Sequence, residues 1–458
     1  MKRIKYKTGF VLLAACAFSA LSHRPAFAET AGGLRELLLE ISARHPRILE
    51  RAGELAARLA AANYKSSRYP DPGFGVAWSN YPYKKDLRLI EDHTPMTGVE
   101  FSVSQPIPFP GRLTLESKIA DVDATASRLR LAVEKNELAR EFLGTLIEIQ
   151  ALQDTIALTK GYVERIKIVS EVANLRYSVG KGDLTDVSKA SVRYATFADR
   201  LRNLEGADAV RNRKLAYYTD DGAAVASILS ESEAIPDYIK NLSRLLANDQ
   251  LQVERESLAV AMASLEIDRQ EKEEYLAKMN YLPDFEVFAS YRKRAYIQND
   301  PARGEDFMSF GFKMRVPLWS ALSNYDNVES KSEMQKSARF SERNVIERER
   351  SLLDSARINY ATLNDRLVAY DETLIPQATR GVESARLAYE TGRANFDTFL
   401  NSWEMLYNLE AERIRLRADR DAQVLVMAYL LNAILPDHTA TNEVESGRKN
   451  PNNDGEPS

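Results

Sequence analysis

The stretch Leu175-Arg-Tyr-Ser-Val-Gly-Lys-Gly-Asp-Leu-Thr-Asp-Val187 interrupts a helix-prone region, and Leu387-Ala-Tyr-Glu-Thr-Gly-Arg-Ala-Asn-Phe-Asp-Thr-Phe399 repeats its outline. Tyr177 corresponds to Tyr389 and Gly180 to Gly392, in each case 212 residues further on. Glycine ends a helix at little cost because it adopts the left-handed conformation without strain. The two stretches therefore predict two helix reversals, with turns near residues 178–184 and 390–396.

Two proline landmarks extend this correspondence beyond the turns. Pro72 is followed by Pro283, and Pro106 by Pro317, in each case 211 residues further on. A near-constant offset indicates two tandem copies of one unit, and a period this long excludes a solenoid of short repeats. The predicted units are a first repeat at 29–247 and a second repeat at 248–436.

Each predicted repeat has the order helix, strand, strand, long helix, helix. Segments rich in Ala, Leu, Arg and Glu predict helices at 34–66, 112–178 and 184–218 in the first repeat, and at 248–281, 324–390 and 396–435 in the second. Residues 219–247 are shorter and irregular in composition, so no regular element is predicted there. Pro376 is expected to bend the second long helix, because proline removes a backbone donor and clashes with the preceding turn.

The helix lengths predict how the elements are arranged. The helix at 112–178 should be about 100 Å long at 1.5 Å per residue. The helix at 184–218 is about half as long, and the one at 34–66 supplies nearly the other half. Side chains from Ile149 to Tyr177 alternate steps of three and four, the spacing of coiled coils. These features predict a tall wall of antiparallel helices; an ordinary two-stranded coiled coil is the alternative.

Four segments alternate apolar and polar residues, as half-exposed strands do. They lie at 73–82, 97–107, 284–296 and 307–318. Strands of about ten residues can cross a bilayer at a tilt, with lipid-facing and lumen-facing side chains alternating. The predicted lipid-facing side chains are Phe74, Val76, Trp78, Val99, Phe101, Val103, Phe310 and Phe312. A soluble antiparallel sheet with one face on a core is the alternative.

Four strands cannot close a membrane barrel, whose smallest form has eight, so several copies would have to share one.

The N-terminus is typical of an export signal. Lys2, Arg3, Lys5 and Lys7 precede an apolar run, and Ala26-Phe27-Ala28 supplies a cleavage site. Residues 1–28 are therefore predicted to be a signal peptide. The chain's only cysteine, Cys16, also fits a lipoprotein processing box, so a lipid anchor is the alternative. The polar tail at 437–458 is predicted to be disordered.

Composition argues against several classes of function. His45, His93 and His438 lie far apart, and no acid pair or glycine-rich phosphate loop falls in a structured context, so no catalytic residues, cofactor or metal site are predicted. The formal net charge of −4 disfavours nucleic-acid binding. A periplasmic adaptor or filamentous scaffold would also carry helical hairpins, but it would not need the alternating strands.

Three motifs together resemble the TolC family of outer-membrane efflux proteins. They are Gln105-Pro-Ile-Pro-Phe-Pro-Gly-Arg112, the pair of Tyr-x-x-Gly turns, and Glu372-Thr-Leu-Ile-Pro-Gln-Ala378. The resemblance covers 34–435 and is greatest to the CzcC/CusC-type heavy-metal cation efflux branch. It implies a mainly α fold with a membrane β-barrel: two tandem repeats per chain, and a homotrimer that shares a twelve-stranded barrel in outer-membrane lipid above a periplasmic α-helical tunnel.

The same resemblance implies the function and the partners. The protein would be a passive exit duct in the outer membrane of a Gram-negative bacterium. It would receive cargo from an RND-type inner-membrane pump through a periplasmic adaptor protein. The Gln105–Arg112 motif favours heavy-metal cations as cargo, and drug efflux or type I protein secretion is the alternative. Few histidines and one cysteine argue that the pump, rather than the duct, selects the cargo.

The resemblance also implies a docking site at the periplasmic tip, where both turns lie. Tyr177, Gly180, Tyr389 and Gly392 would contact the adaptor there. In related drug and protein ducts, acids six and nine residues after the second turn glycine narrow the entrance. Here those positions are Thr398 and Asn401, and the nearest acid is Asp397.

The gate of this chain should therefore differ from that of its relatives. The first repeat keeps an acid at Asp186, and Tyr389 keeps the place of a tyrosine that bonds to it in the closed tip. Arg393 lies beside the place of a closing arginine, which is Ala394 here. The resemblance predicts a closed tip held by fewer bonds, with Asp186 and Tyr389 as the surviving pair.

Overall fold

The structure is a computed structural model of the 458-residue chain. It describes residues 29–80, 94, 96–180, 182–219, 222–230, 234–247, 251–296, 298, 300–301, 303–391 and 393–435. The predicted signal peptide with Cys16, His93, Gly392 and the predicted tail with His438 lie outside the described residues.

Helices form most of the described chain. In chain order they are α1 (Glu29–Arg44), α2 (Pro46–Ser67), α3 (Arg112–Ser178), α4 (Leu184–Leu215), α5 (Gly222–Ser230), α6 (Ala234–Leu246), α7 (Val253–Glu256), α8 (Leu258–Met279), α9 (Ser320–Ala369), a π-helical turn (Tyr370–Leu374), α10 (Ile375–Glu390) and α11 (Phe396–Leu430). Among these, none is both long and apolar enough to cross a membrane.

Three predictions about helical segments are wrong, and local chemistry explains the first. The helix predicted at 34–66 is two helices, α1 and α2, because Pro46 begins a new helix that His45 caps: His45 Nδ1 accepts from the Arg47 N–H at 3.3 Å. The helix predicted at 248–281 is likewise divided at Ser257 into α7 and α8. The segment at 219–247, predicted to be irregular, contains α5 and α6.

The longest helix of the described chain is α3. The predicted bounds of α3 are confirmed, and its 67 residues extend about 100 Å. It packs against α2, α4, α8 and α11, so the alternative of a two-stranded coiled coil is wrong. The largest apolar core lies where α3 meets α1, α6, α9 and α11, and it includes Leu38, Phe142, Ile239, Leu353 and Ala428.

The second long helix is interrupted where α3 is continuous. A π-helical turn, Tyr370–Leu374, separates α9 from α10 and ends two residues before Pro376. Proline lacks an N–H and its ring clashes with the carbonyl four residues earlier, here that of Glu372, which widens the turn at that point. The distortion expected from Pro376 is therefore present one turn before it.

The strands form one antiparallel sheet in the order β1-β2-β3-β4. They are β1 (Gly73–Ser79), β2 (Gly98–Ile107), β3 (Asp284–Arg294) and β4 (Phe307–Arg315), close to the predicted segments but shorter. The register places Phe74 opposite Val103 and Ala289 opposite Phe310, on one apolar face. Phe74 is 82% exposed and Phe310 85% exposed in the single chain. This apolar face is open, unlike the core-facing sheet of the alternative interpretation.

One ion pair fixes the corner between the sheet and α3. Gly111 has a φ of 92°, and directly after it Arg112 Nη1 donates to both Asp284 carboxylate oxygens at 2.9 Å. Arg112 Nη2 donates to the Met279 carbonyl at 2.9 Å, and the Phe109 N–H donates to Asp284 Oδ1 at 3.1 Å. The corner that ends β2 is thereby bound to the end of α8 and the start of β3.

Replacing Arg112 with alanine should lower the free energy of unfolding by about 1.5–3 kcal/mol, the usual contribution of a hydrogen bond to a charged group. The thermal unfolding midpoint of purified protein measures the effect. The control is Lys336→Ala, which removes an exposed pair with Glu333 within one helix and should cost about 0.3–0.5 kcal/mol. Equal midpoints for the two variants would contradict a special role for the corner.

Candidate functional site

The first turn joins α3 to α4 through a left-handed glycine. Gly180 has a φ of 70°, and its N–H donates to the Tyr177 carbonyl at 3.0 Å. Asp183 then caps α4, because its carboxylate accepts from the Thr185 N–H at 2.9 Å. That hydrogen bond lowers the pKa of Asp183, so the carboxylate is charged at neutral pH. Tyr177 is 45% exposed and packs little within the chain.

The second turn ends α10 and begins α11 with a matching cap. Asn395 Oδ1 accepts from the Thr398 N–H at 2.9 Å and from the Thr398 hydroxyl at 2.6 Å. The Arg393 N–H donates to the Ala388 carbonyl at 2.8 Å, and the Arg393 side chain is exposed. Thr398 therefore serves the helix cap. Sequence reasoning missed the two caps, although Asp183 and Asn395 are 212 residues apart and both are typical capping residues.

Beneath the turns, aromatic side chains join the two helical hairpins. The Tyr389 ring stacks parallel on Phe399, with centroids 5.8 Å apart, and lies 5.4 Å from Phe396. On its other side the Arg176 guanidinium lies 4.9 Å from the Tyr389 centroid, a cation–π contact between α10 and α3. Ala173 and Ala190 complete this buried cluster. Tyr389 thus helps to hold the hairpin α10–α11 against α3.

Two cations of α4 reach across to α11. Lys189 forms an ion pair and a hydrogen bond with Asp397. Four residues later, Arg193 pairs with Glu404 and donates to Asn401 Oδ1 at 3.3 Å. Residues four apart lie on one helix face, so the two cations form successive rungs between α4 and α11.

Asp186, on the first turn of α4, has a different environment. The hydrogen bonds of the described residues do not include one between Asp186 and Tyr389, which the resemblance predicted as the surviving pair. Burial raises the pKa of the Asp186 carboxyl and the negative charges of Asp183 and Asp397 raise it further, while the positive charges of Lys189 and Arg176 oppose the rise. In the single chain, Asp397 forms an ion pair with Lys189, whereas burial and nearby acids dominate the environment of Asp186.

A groove runs along the outside of this cluster, between α3 and α10–α11. It has a volume of about 330 Å³ and is lined by Ile168, Val172, Tyr389, Trp403 and several arginines. Ile168 is 60% exposed, although it is a large aliphatic residue at a lining position. Arg165, Arg176 and Arg386 edge the groove, and Arg386 is paired with Glu383 and Glu390. The groove combines an apolar floor with a charged rim.

No group of three or more His, Cys, Asp or Glu side chains that could hold a metal ion occurs within the described ranges. Two acids near the turns have partners within the chain. Asp183 caps a helix and Asp397 binds Lys189.

Comparisons with known proteins identify the class of this fold. The chain is similar to the outer membrane protein VceC of Vibrio cholerae, with a TM-score of 0.67 at 13% identity over 88% of this chain and 96% of that one. It is similar to the Campylobacter jejuni outer membrane channel CmeC, with a TM-score of 0.68 at 11% identity over 92% and 89%. For CusC the TM-score is 0.70 at 14% identity over 87% and 92%. The described fold is therefore that of outer-membrane channels.

A sequence family supports the same class. Residues 37–218 match the family described as outer membrane efflux protein. No curated protein matches the chain. The matched segment holds β1, β2, α3, the first turn and α4. CusC and the outer membrane channel CmeC match at similar scores, so structural likeness does not distinguish the cation-efflux branch.

Replacing Lys189 with alanine should loosen the contact between α4 and α11. A half-exposed ion pair contributes about 0.2–1 kcal/mol, so amides at the start of α11 should exchange hydrogen up to about fivefold faster. Hydrogen–deuterium exchange measures this directly. The control Lys160→Ala removes a comparable pair, with Glu205 at 3.1 Å, inside the first hairpin and should leave α11 unchanged.

Asp186→Ala should not accelerate hydrogen exchange at the start of α11, unlike Lys189→Ala. Because burial and nearby acids disfavour its charged form, removing the carboxylate should leave exchange in α11 unchanged or slower. For the same reason, lowering the pH through the raised pKa of Asp186 should increase the protection factors of these amides, which are corrected for the intrinsic pH dependence of exchange, in the wild type but not in this variant. Faster exchange in Asp186→Ala would instead support the predicted pairing of Asp186 with Tyr389.

Proposed function

We propose that the protein is an outer-membrane efflux channel that passively conducts cargo delivered from the inner membrane. The observation that carries this proposal is the combination of two parts in one chain. An antiparallel sheet exposes an apolar face, and a helix of about 100 Å extends from its corner. The similarity to outer-membrane channels over about nine-tenths of the chain supports it.

In this proposal three copies form one channel. Within the described residues, each outer strand of the sheet has a neighbour on one side only. Four strands from each of three copies would give the twelve-stranded barrel that the family resemblance implies. The apolar face would contact outer-membrane lipid, and the opposite face would line the lumen. That opposite face carries small and charged residues together with Phe288 and Phe307. On it, Arg292 donates to Glu100 at 2.7 Å and Lys313 lies 3.8 Å from Glu286. The helices would then form the periplasmic tunnel.

The two turns would form the periplasmic tip, where an adaptor protein docks and an RND-type pump delivers cargo. The groove beside Tyr389 supports this role. Its apolar lining, together with Arg165 and Arg176, suits an amphipathic helix with acidic side chains, the chemistry of a helical hairpin partner. Tyr177 and Gly180 would lie at the end of the groove, and Tyr389 would form part of its wall.

Heavy-metal cations remain the proposed cargo, on the strength of the Gln105–Arg112 motif. In the structure, however, two residues of this motif have a structural role. Gly111 makes the turn before α3, and Arg112 forms an ion pair with Asp284. Drug efflux is therefore a serious alternative. Export of zinc or cadmium, compared with that of a cationic dye, from cells that rely on this channel would decide between them.

The barrel predicts opposite responses on the two faces of β4. Phe310→Arg should abolish assembly in the outer membrane, since a cation on the lipid face costs about 2–4 kcal/mol at the bilayer midplane. Ser309→Arg changes the neighbouring residue on the opposite face and should be tolerated. The amount of oligomer in outer-membrane fractions measures both. Equal tolerance of the two variants, or a soluble monomer, would rule out the barrel.

Gly180→Trp should abolish efflux but preserve the oligomer. A Cβ at this position meets no atom within 4 Å in the chain, so a bulky side chain would project toward a partner. The positive φ costs any other residue about 1–2 kcal/mol. Gly180→Ala has the same strain without the bulk and should retain efflux. If Gly180→Trp leaves both efflux and adaptor cross-linking intact, the docking role is wrong.

A further inference from the structure

A buried histidine joins two helix ends. His45 lies between α1 and α2 and is 4% exposed. Its Nδ1 atom accepts from the Arg47 N–H at 3.3 Å, which caps α2. Its Nε2 atom lies 3.0 Å from the carbonyl oxygen of Tyr217, two residues after the end of α4. One side chain therefore holds the start of α2 against the end of α4.

These two hydrogen bonds define the protonation state of the ring. A carbonyl only accepts, so Nε2 carries the hydrogen in the bond to Tyr217. The Arg47 N–H only donates, so Nδ1 carries no hydrogen. The neutral imidazole with its proton on Nε2 is the one form that satisfies both partners. In the imidazolium form, Nδ1 would carry a hydrogen that points at the Arg47 N–H, and the cap of α2 would be lost.

His45 differs from the other two side-chain caps described above. Asp183 caps α4 and Asn395 caps α11, and both are residue types that helix N-termini favour. The lowered pKa of Asp183 keeps it a charged acceptor, and an asparagine does not titrate. A histidine ordinarily changes its charge between about pH 5 and 8. Of these three caps, His45 is the one whose accepting atom can be filled by a proton near neutral pH.

We propose that His45, with its partners Arg47 and Tyr217, is an acid-sensitive latch that uncaps α2 when the ring is protonated. The cap needs the neutral ring, so it is present at neutral pH and is lost as the pH falls. The latch is a property of the single chain and does not depend on the proposed channel.

Toward α2 and α3, the charged groups around His45 are already engaged with one another. Arg47 lies 2.6 Å from Glu134 and 3.0 Å from Glu141, and both acids belong to α3. These acids favour an imidazolium, whereas the guanidinium that they share opposes it. No new partner for a proton on Nδ1 is among the hydrogen bonds of the described residues.

Toward α1 and α4, the surroundings disfavour a charged ring. Arg44, at the end of α1, pairs with Glu40, and Lys214 lies in the last turn of α4. The Tyr217 ring meets the imidazole at 74°, with centroids 4.9 Å apart. Tyr218 is buried in the largest apolar core. A buried positive charge in such surroundings is unfavourable, so protonation should weaken this joint.

Hydrogen–deuterium exchange of the full-length protein in detergent tests the latch. Protection factors of the amides at 47–49, corrected for the intrinsic pH dependence of exchange, should fall about fivefold or more in the wild type between about pH 7.5 and 5. A helix cap typically contributes about a factor of five to a local equilibrium. In His45→Asn, the side-chain oxygen can still accept from the Arg47 N–H but does not titrate, so these factors should change less than about twofold.

His45→Ser supplies a second cap that does not titrate, in case the asparagine variant does not fold. Amides in the middle of α9 are the internal reference and should keep their protection factors at both pH values. Equal protection of 47–49 in the wild type at the two pH values overturns the latch, and so does an equal fall in the variants. A fall of the same size in α9 shows general acid destabilisation and also overturns it.

Discussion

The contact between Arg112 and Asp284 determines how the molecule is put together. It binds the corner after β2, in the first half of the chain, to the first residue of β3 in the second half. The same guanidinium also donates to the Met279 carbonyl at the end of α8, which accepts a second hydrogen bond from the Leu282 N–H. The direction in which α3 leaves the sheet follows from this corner. Over about 100 Å, a small change of angle there would displace the distant turn by many ångströms.

The two long helices start from equivalent corners but are held in different ways. α3 has buried residues along most of its length, whereas α10 has none fully buried. α10 is separated from α9 by the π-helical turn before Pro376. Near its tip, the hairpin α10–α11 is held by the buried side chains of Phe396, Phe399 and Leu400, by the Tyr389 stack and by the cations of α4. Segments with few buried contacts open at lower free energy than the core. In the single chain, α10 has fewer buried residues than the matching end of α3.

Sequence patterns predicted the structural features that depend on residues close together in the sequence. The bounds of α3, the alternation of the strands and the distortion near Pro376 follow from composition, a period of two and the missing proline N–H. The break at Pro46 was also visible in the sequence, but helix composition on both sides concealed it. The partner of Lys189 could not be predicted, because Asp397 lies 208 residues away and meets it only through the packing of two hairpins. The sequence-based gate, with Asp186 and Tyr389 as the pair, stays a prediction.

The charges along the proposed duct bear on what it can select. On the inner face of the sheet, Glu100 is bound by Arg292 and Glu286 lies near Lys313. At the turns, Asp397 is bound by Lys189 in the same way. A carboxylate already paired with a cation of its own chain is a poor ligand for a passing metal ion, which would have to displace that partner. Thr398, where related ducts carry an acid, is bound to Asn395 at the helix cap. In the proposed channel, discrimination between cargoes would therefore belong to the protein that loads it at the tip, and the duct would contribute its width, its length and a hydrated wall.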